Sequence, residues 1–138
     1  MTGEIARMAP RPVEISVIVP MFNEVDNVAP LAERDVGIMG PLGRPFEIIL
    51  VDDGSSDGTT AAIARLEQED RRVRGIFLAR NYGQSTAMQA GFDAARGDIV
   101  VSMDGDMQND PADVPRMIEL LESSGADVVG GWRRDRHD

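Results

Sequence analysis

The chain has 138 residues, 42% hydrophobic and 28% charged, enough for one globular domain with a core of its own. Acidic residues outnumber basic ones 24 to 14, a net charge of -10, which excludes a nucleic-acid binder with its basic footprint. All 14 basic residues are Arg. The lack of Lys excludes P-loop, Schiff-base and kinase-type chemistry, and the lack of Cys excludes a disulfide framework, a thiol nucleophile and thiolate-bound zinc.

Residues 1–13 are polar and mixed in charge and read as a flexible arm; residues 14–138 read as one domain. The first apolar run, "ISVIV" (15–19), is too short for a secretory leader or a membrane span, so the chain is expected to be cytoplasmic. Four more runs follow: "FEIILV" (46–51), "VRGIFLA" (73–79), "DIVVSM" (98–103) and "DVVGG" (127–131). They are rich in Val and Ile and nearly continuous, as strands covered on both faces are.

Helical patterns separate the runs. In 24–45, Asn27 is the candidate cap, with Pro30 in the first turn. Asp57-Gly58-Thr59-Thr60 opens a second helix, with Ala62, Ile63 and Leu66 at helical spacing, and Ser56 or Asp57 can cap it. Ser85 can cap a third, whose small residues Ala87, Ala90, Gly91 and Ala94 imply close packing on a sheet. Pro111 and Pro115 begin a fourth, and Gly125 stops it. Strand–helix alternation predicts an α/β fold with a parallel, Rossmann-like sheet and helices on both faces. The chain stops soon after the fifth run, in the polar "WRRDRHD", as an interrupted domain would.

Parallel sheets bind ligands beyond the carboxyl ends of their strands. The segments there are "PMFNE" (20–24), "DDGSSDG" (52–58), "RNYGQS" (80–85), "DGDMQND" (104–110) and "WRRDRHD" (132–138). The carboxylates Glu24, Asp52, Asp53, Asp104 and Asp106 are therefore expected along one edge. Asp104 and Asp106 flank Gly105 and can share Mg²⁺ or Mn²⁺, which take oxygen ligands, keep waters and bind substrate phosphates. Gln108 can add an amide oxygen, and Gly105 lets a ligand approach the backbone. The plain alternative is an Asp-Gly turn; the position after a buried strand favours the metal. An EF-hand is excluded, because Asn109 stands where it needs Gly and Pro115 where it needs Glu. Asp53 suits a base or ribose, or an Asx-turn. Glu24 reaches the same crevice or sits as a first-turn acid favoured by the helix dipole. Arg80 suits a phosphate or, better, a structural ion pair. The one His, His137, is next to last in the chain, a poor place for a triad base.

Together, "SVIVPMFNE", "ILVDDGSSDGT", "RNYGQSTAMQAGFDAARGDIVVSMDGDMQNDP" and "DVVGGWRRDR" resemble the family 2 glycosyltransferases, and within them the polyprenyl-phosphate transferases similar to dolichol-phosphate mannose synthase. The resemblance runs from about Glu14 to the end. It implies a GT-A fold and a UDP- or GDP-sugar donor. It assigns Pro20, Phe22, Glu24, Val51, Asp53 and Gly105 to the nucleotide pocket. It gives Asp104, Asp106 and Gln108 to a divalent metal, and Arg133 or Arg134 to phosphate. Phe22 stands where relatives often carry Tyr. The implied reaction is inverting sugar transfer to a polyprenyl phosphate at the cytoplasmic face of the membrane. Other readings are a nucleotide-sugar-binding domain without turnover, a family 2 transferase with a saccharide acceptor, and a nucleotidyltransferase of the sugar-nucleotide pyrophosphorylase type. The last is disfavoured by the missing Gly- and Lys-rich loop, and receiver or haloacid-dehalogenase domains by the missing Lys.

Overall fold

The computed structural model describes residues 12–103 and 113–124. Four strands, β1 (Ile15–Met21), β2 (Phe46–Asp52), β3 (Val73–Phe77) and β4 (Ile99–Ser102), form one sheet in the order β3-β2-β1-β4. Every pairing is parallel. The helices are α1 (Val25–Met39), α2 (Thr59–Glu69), α3 (Gln84–Ala94) and α4 (Asp113–Ser124), with a short 3₁₀ turn at Gly40–Leu42. The fifth apolar run (127–131), the expected arm (1–11 of it) and Gly125 lie outside the described residues.

Burial explains the strand order. Each residue of β1 and β2 is buried, whereas β3 buries only Val73, and in β4 Ile99 and Val101 alternate with half-exposed Val100 and Ser102. The two continuous apolar runs are the interior strands, and the weaker runs flank them. One sheet face carries Val17, Val19, Ile48, Leu50 and Val101, packed against Val28 and Leu31 of α1, Ile63 of α2, and Val114 and Ile118 of α4. The other carries Ile18, Ile49 and Val51 against Ala87 of α3. The chain steps from β1 to β2 to β3 in one direction and then returns to the far side of β1. With right-handed crossovers throughout, a reversal of direction puts the next helix on the opposite face, where α3 lies. Gly91 makes that contact possible: a Cβ there would come within 2.4 Å of Ile18 Cγ2.

The starting ends of the strands are joined by one buried carboxylate. Glu47 Oε2 accepts from Ser16 Oγ on β1 (2.6 Å) and from the Arg96 N–H before β4 (2.8 Å), and Oε1 accepts from Arg74 on β3 (2.7 Å). Arg74 also donates to the Ala94 carbonyl at the end of α3 (3.0 Å), a favourable place for a cation. Burial pushes the Glu47 pKa up, but the hydrogen bonds from Ser16, Arg96 and Arg74 outweigh it and hold the group below its ordinary range. On the surface, Arg44 bridges Glu14 (2.8 Å) and Glu122 (2.7 Å), fastening α4 to the start of β1.

Three expected helix starts need correction. α1 begins at Val25, not after Asn27, so Pro30 falls in its second turn and removes the N–H that would bond Asp26. Asn27 instead donates its amide to Glu24 Oε1 (2.8 Å). α3 begins at Gln84 with Gly83 at the cap position, leaving Ser85 inside the helix. α2 has Gly58 at its cap position, although Asp57 Oδ1 still accepts from Thr59 N–H (3.0 Å), so the expected Asp57 contact forms one residue earlier.

One core residue is out of place chemically. Asp35 lies on the buried stripe of α1 and is 1% exposed. Its only ionic neighbour among the described residues is Arg34, with Nε 3.6 Å from Oδ1, and neither Asp35 oxygen has a hydrogen-bond partner there. Burial raises its pKa to about 6, which the Arg34 charge offsets only in part. The folded state therefore binds the proton more tightly than the unfolded chain. Stability falls as pH rises through the window from the ordinary value of 3.8 to about 6, and the full cost remains above it. Asp35→Asn, which mimics the neutral carboxyl, is expected to stabilise the protein by about 2–3 kcal/mol above pH 7 and by nothing well below the ordinary value of 3.8. Urea unfolding across pH checks this; an equal effect at both ends would refute the buried-charge account.

Candidate functional site

The reversal of strand order falls between β1 and β4, and in doubly wound sheets the ligand crevice opens at the carboxyl ends beside such a reversal. The loop after β1 lies there, and so does the exit of β4, where the Met103 N–H donates to the Ile18 carbonyl (2.9 Å). Three loops at this edge are laced together by side chains that the chain supplies itself.

The first two loops are joined around Asn23. It holds a left-handed backbone (φ 52), which Asn tolerates better than most residues. Its N–H donates to Ser55 Oγ (2.9 Å), and its side-chain oxygen accepts from the Ser56 N–H (2.8 Å). The Glu24 N–H donates to Thr59 Oγ1 (2.9 Å), and that hydroxyl donates to Asp57 Oδ1 (2.6 Å). Asp57 Oδ2 accepts from the Val25 N–H (3.2 Å), so the β2 loop supplies the cap for α1. These bonds, the one from the Thr59 hydroxyl foremost, hold the Asp57 carboxyl below its ordinary range.

The second and third loops meet at Asp53 and Gly54. Gly54 has φ +73, and a Cβ on it would lie 2.2 Å from the Arg80 carbonyl carbon and 2.4 Å from the Asn81 nitrogen. The Asp53 carboxylate, 4% exposed, accepts from the Tyr82 N–H on Oδ1 (2.8 Å) and from the Gly83 N–H (3.0 Å) and the Asn81 amide (3.1 Å) on Oδ2. Asp52 is also committed: Oδ1 accepts from the Ser55 N–H (3.0 Å) and Oδ2 from the Thr60 hydroxyl. Glu24, Asp52 and Asp53 thus share one edge as expected, but Asp52 turns into its own loop.

Other expected residues fall around this lattice. Pro20 and Val51 are direct partners in the β1–β2 register and are buried. Phe22 is 44% exposed and Tyr82 48% exposed. Arg80 makes no ion pair with the described residues; its guanidinium lies 5.0 Å from the Tyr82 ring centroid. Asp104, Gly105, Asp106, Gln108, Arg133 and Arg134 lie outside the described residues. Among the described residues, no group of three or more acidic or His side chains is placed to hold a metal ion, and no helix is long and apolar enough to cross a membrane. Asn23, Asn81, Ser55 and Thr59 escaped the sequence reading. Their only signal was polarity directly after a strand, which loops share generally.

A parallel sheet with its reversal beside β1, and polar loops gathered over it, defines an α/β domain of the doubly wound type. The sequence profile of "Glycosyl transferase family 2" matches residues 16–138. The chain belongs to that family. It is 46% identical over 126 residues to the dodecaprenyl-phosphate galacturonate synthase of Rhizobium johnstonii, covering 91% of this chain and 37% of that protein. It is 42% identical over 125 residues to the undecaprenyl-phosphate 4-deoxy-4-formamido-L-arabinose transferase of Edwardsiella ictaluri, covering 90% and 38%. The chain thus spans little more than a third of the length of these relatives. Among solved structures, it superposes with a TM-score of 0.66 on the mannosyltransferase PcManGT from Pyrobaculum calidifontis in complex with GDP-Man and Mn²⁺, at 22% identity over 87% of this chain and 38% of that one. The fold is GT-A.

Gly54 tests the loop lattice. Gly54→Ala is expected to lower stability by about 2–3 kcal/mol and to speed amide exchange at Tyr82 and Gly83. A variant with wild-type exchange there would show that the two loops do not depend on their close approach.

Proposed function

We propose that this chain is the donor-binding part of an inverting glycosyltransferase that moves a sugar from a nucleoside diphosphate to a polyprenyl phosphate. The observation that carries the reading is the 42–46% identity to two polyprenyl-phosphate transferases over nine-tenths of the chain. The position of the acidic motif supports it: Asp104 directly follows Met103, at the exit of the strand that borders the reversal in strand order.

In this reading the nucleoside end of the donor lies on the laced loops, with Phe22, Glu24 and Asp53 nearest to it and Pro20 and Val51 beneath. The donor set Asp104, Asp106 and Gln108 is all oxygen and suits Mg²⁺ or Mn²⁺, and Gly105 leaves room for the diphosphate. A bound divalent ion supplies Lewis-acid neutralisation of the charge that develops on the leaving diphosphate. Arg133 and Arg134 hold phosphate through forked, permanently charged groups. The acceptor phosphate is already an anion. Its oxygen attacks the anomeric carbon as the bond to the diphosphate breaks on the opposite side, and no general base is required. A lipid acceptor places the working enzyme at the cytoplasmic face of a membrane.

Titration calorimetry with UDP and GDP, with and without Mn²⁺, tests the donor site. One of the two is expected to bind in a metal-dependent way, and Asp104→Asn/Asp106→Asn to weaken that binding by roughly tenfold or more. Equal binding by wild type and double variant would overturn the metal assignment.

A further inference from the structure

Asp53 has less to offer a ligand than its position suggests. An ionised carboxylate has about four acceptor positions. Among the described residues three are filled: by Tyr82 N–H on Oδ1, and by Gly83 N–H and the Asn81 amide on Oδ2. Those residues leave one, on Oδ1. The carboxylate is buried, so its orientation decides whether that last position faces the crevice. Asn81 sets the orientation. Its side-chain nitrogen donates both to the Asp53 main-chain carbonyl (3.1 Å) and to Oδ2 (3.1 Å). Both partners are pure acceptors, so only the NH₂ end of the amide can face them. One side chain thus grips Asp53 at its backbone and at its carboxylate. Gly54, next in sequence, admits the Arg80–Asn81 backbone closely enough for that grip.

We propose that Asn81 is a positioning residue for donor recognition: through Asp53 it presents a single acceptor, on Oδ1, to one hydrogen-bond donor on the nucleoside. The inference rests on the donor-binding reading above. The group recognised is an N–H of the base or a hydroxyl of the ribose; Oδ1 has room for one of them. Asn81 itself need not touch the ligand.

The test is calorimetry with whichever of UDP or GDP the wild type binds, together with its 2′-deoxy form, its form methylated at the Watson–Crick ring nitrogen, and pyrophosphate, all with Mn²⁺. Asn81→Ala is expected to weaken the nucleotide about tenfold, the equivalent of one lost hydrogen bond, and to leave pyrophosphate unchanged. The analogue that lacks the recognised group should already be weak and should lose nothing further in the variant, which identifies base or ribose. Asn81→Asp, which sets a second carboxylate against Asp53, is expected to weaken the nucleotide more than Asn81→Ala does. Asn81 is exposed, and Asn81→Ala is expected to keep a thermal midpoint near wild type, whereas Asn81→Asp lowers it through repulsion from the buried Asp53. Equal weakening of pyrophosphate and nucleotide would reduce Asn81 to a general structural role and overturn the proposal, as would unchanged nucleotide binding. A wild type that binds neither UDP nor GDP overturns the donor-binding reading itself.

Discussion

The sheet depends on Glu47. A carboxylate taken out of water is costly unless its lone pairs are filled, and here Ser16, Arg74 and the Arg96 N–H fill them from β1, β3 and the approach to β4. Parallel strands cannot be joined by tight hairpins, so nothing local fixes their starting ends relative to one another. The Glu47 network does so at one end of the sheet. The Ser16 hydroxyl also accepts from the Gly97 N–H (2.9 Å), which draws the last connection before β4 into the same cluster. With the starting ends tied by charge, the carboxyl ends are free to carry loops chosen for binding.

Those loops are fixed by different means. Asp53 and Asp57 accept from backbone N–H groups of neighbouring loops, and Asp52 from an N–H and a hydroxyl of its own. Backbone donors at the ends of helices and in turns must be satisfied somehow, and water would satisfy them without defining a shape. Side-chain carboxylates do both. The result is an edge set before any ligand arrives, which lowers the ordering entropy that binding must overcome. The exposed groups left over are of a different kind: the Phe22 ring, and Arg80 stacked on Tyr82.

Much of the fold was legible because burial on two faces leaves a plain mark on sequence. β1 and β2 follow continuous Val and Ile runs, and Ala87 and Gly91 marked the helix packed closest on the sheet. The helix starts were less legible. Asn27 has the composition of a cap, yet α1 starts two residues earlier because Asp57, thirty-two residues on, caps Val25. No local window contains that bond. Asp53 was correctly placed at the edge, but its partners Asn81, Tyr82 and Gly83 come from the next crossover, so the sequence could suggest a ligand and not show how many acceptor positions the protein had already taken.

The division of acids at this edge bears on how a donor would be held. The acids of the β2 loop keep their charge, but their oxygens accept N–H and O–H bonds within the protein, so few of their lone pairs are left for a ligand. Were Asp52, Asp53 and Glu24 all bare, their repulsion of a nucleoside diphosphate would oppose the attraction of a cation at Asp104 and Asp106. The N–H dipoles aimed at these carboxylates offset part of that repulsion, while the whole chain stays at -10. In the proposed reading the metal falls to the pair after β4, a strand paired only with β1 among the described residues. In the proposed reading the nucleoside end of the crevice is selective because it is rigid and nearly saturated, and the diphosphate end attracts its ligand through the cation that the pair after β4 would hold.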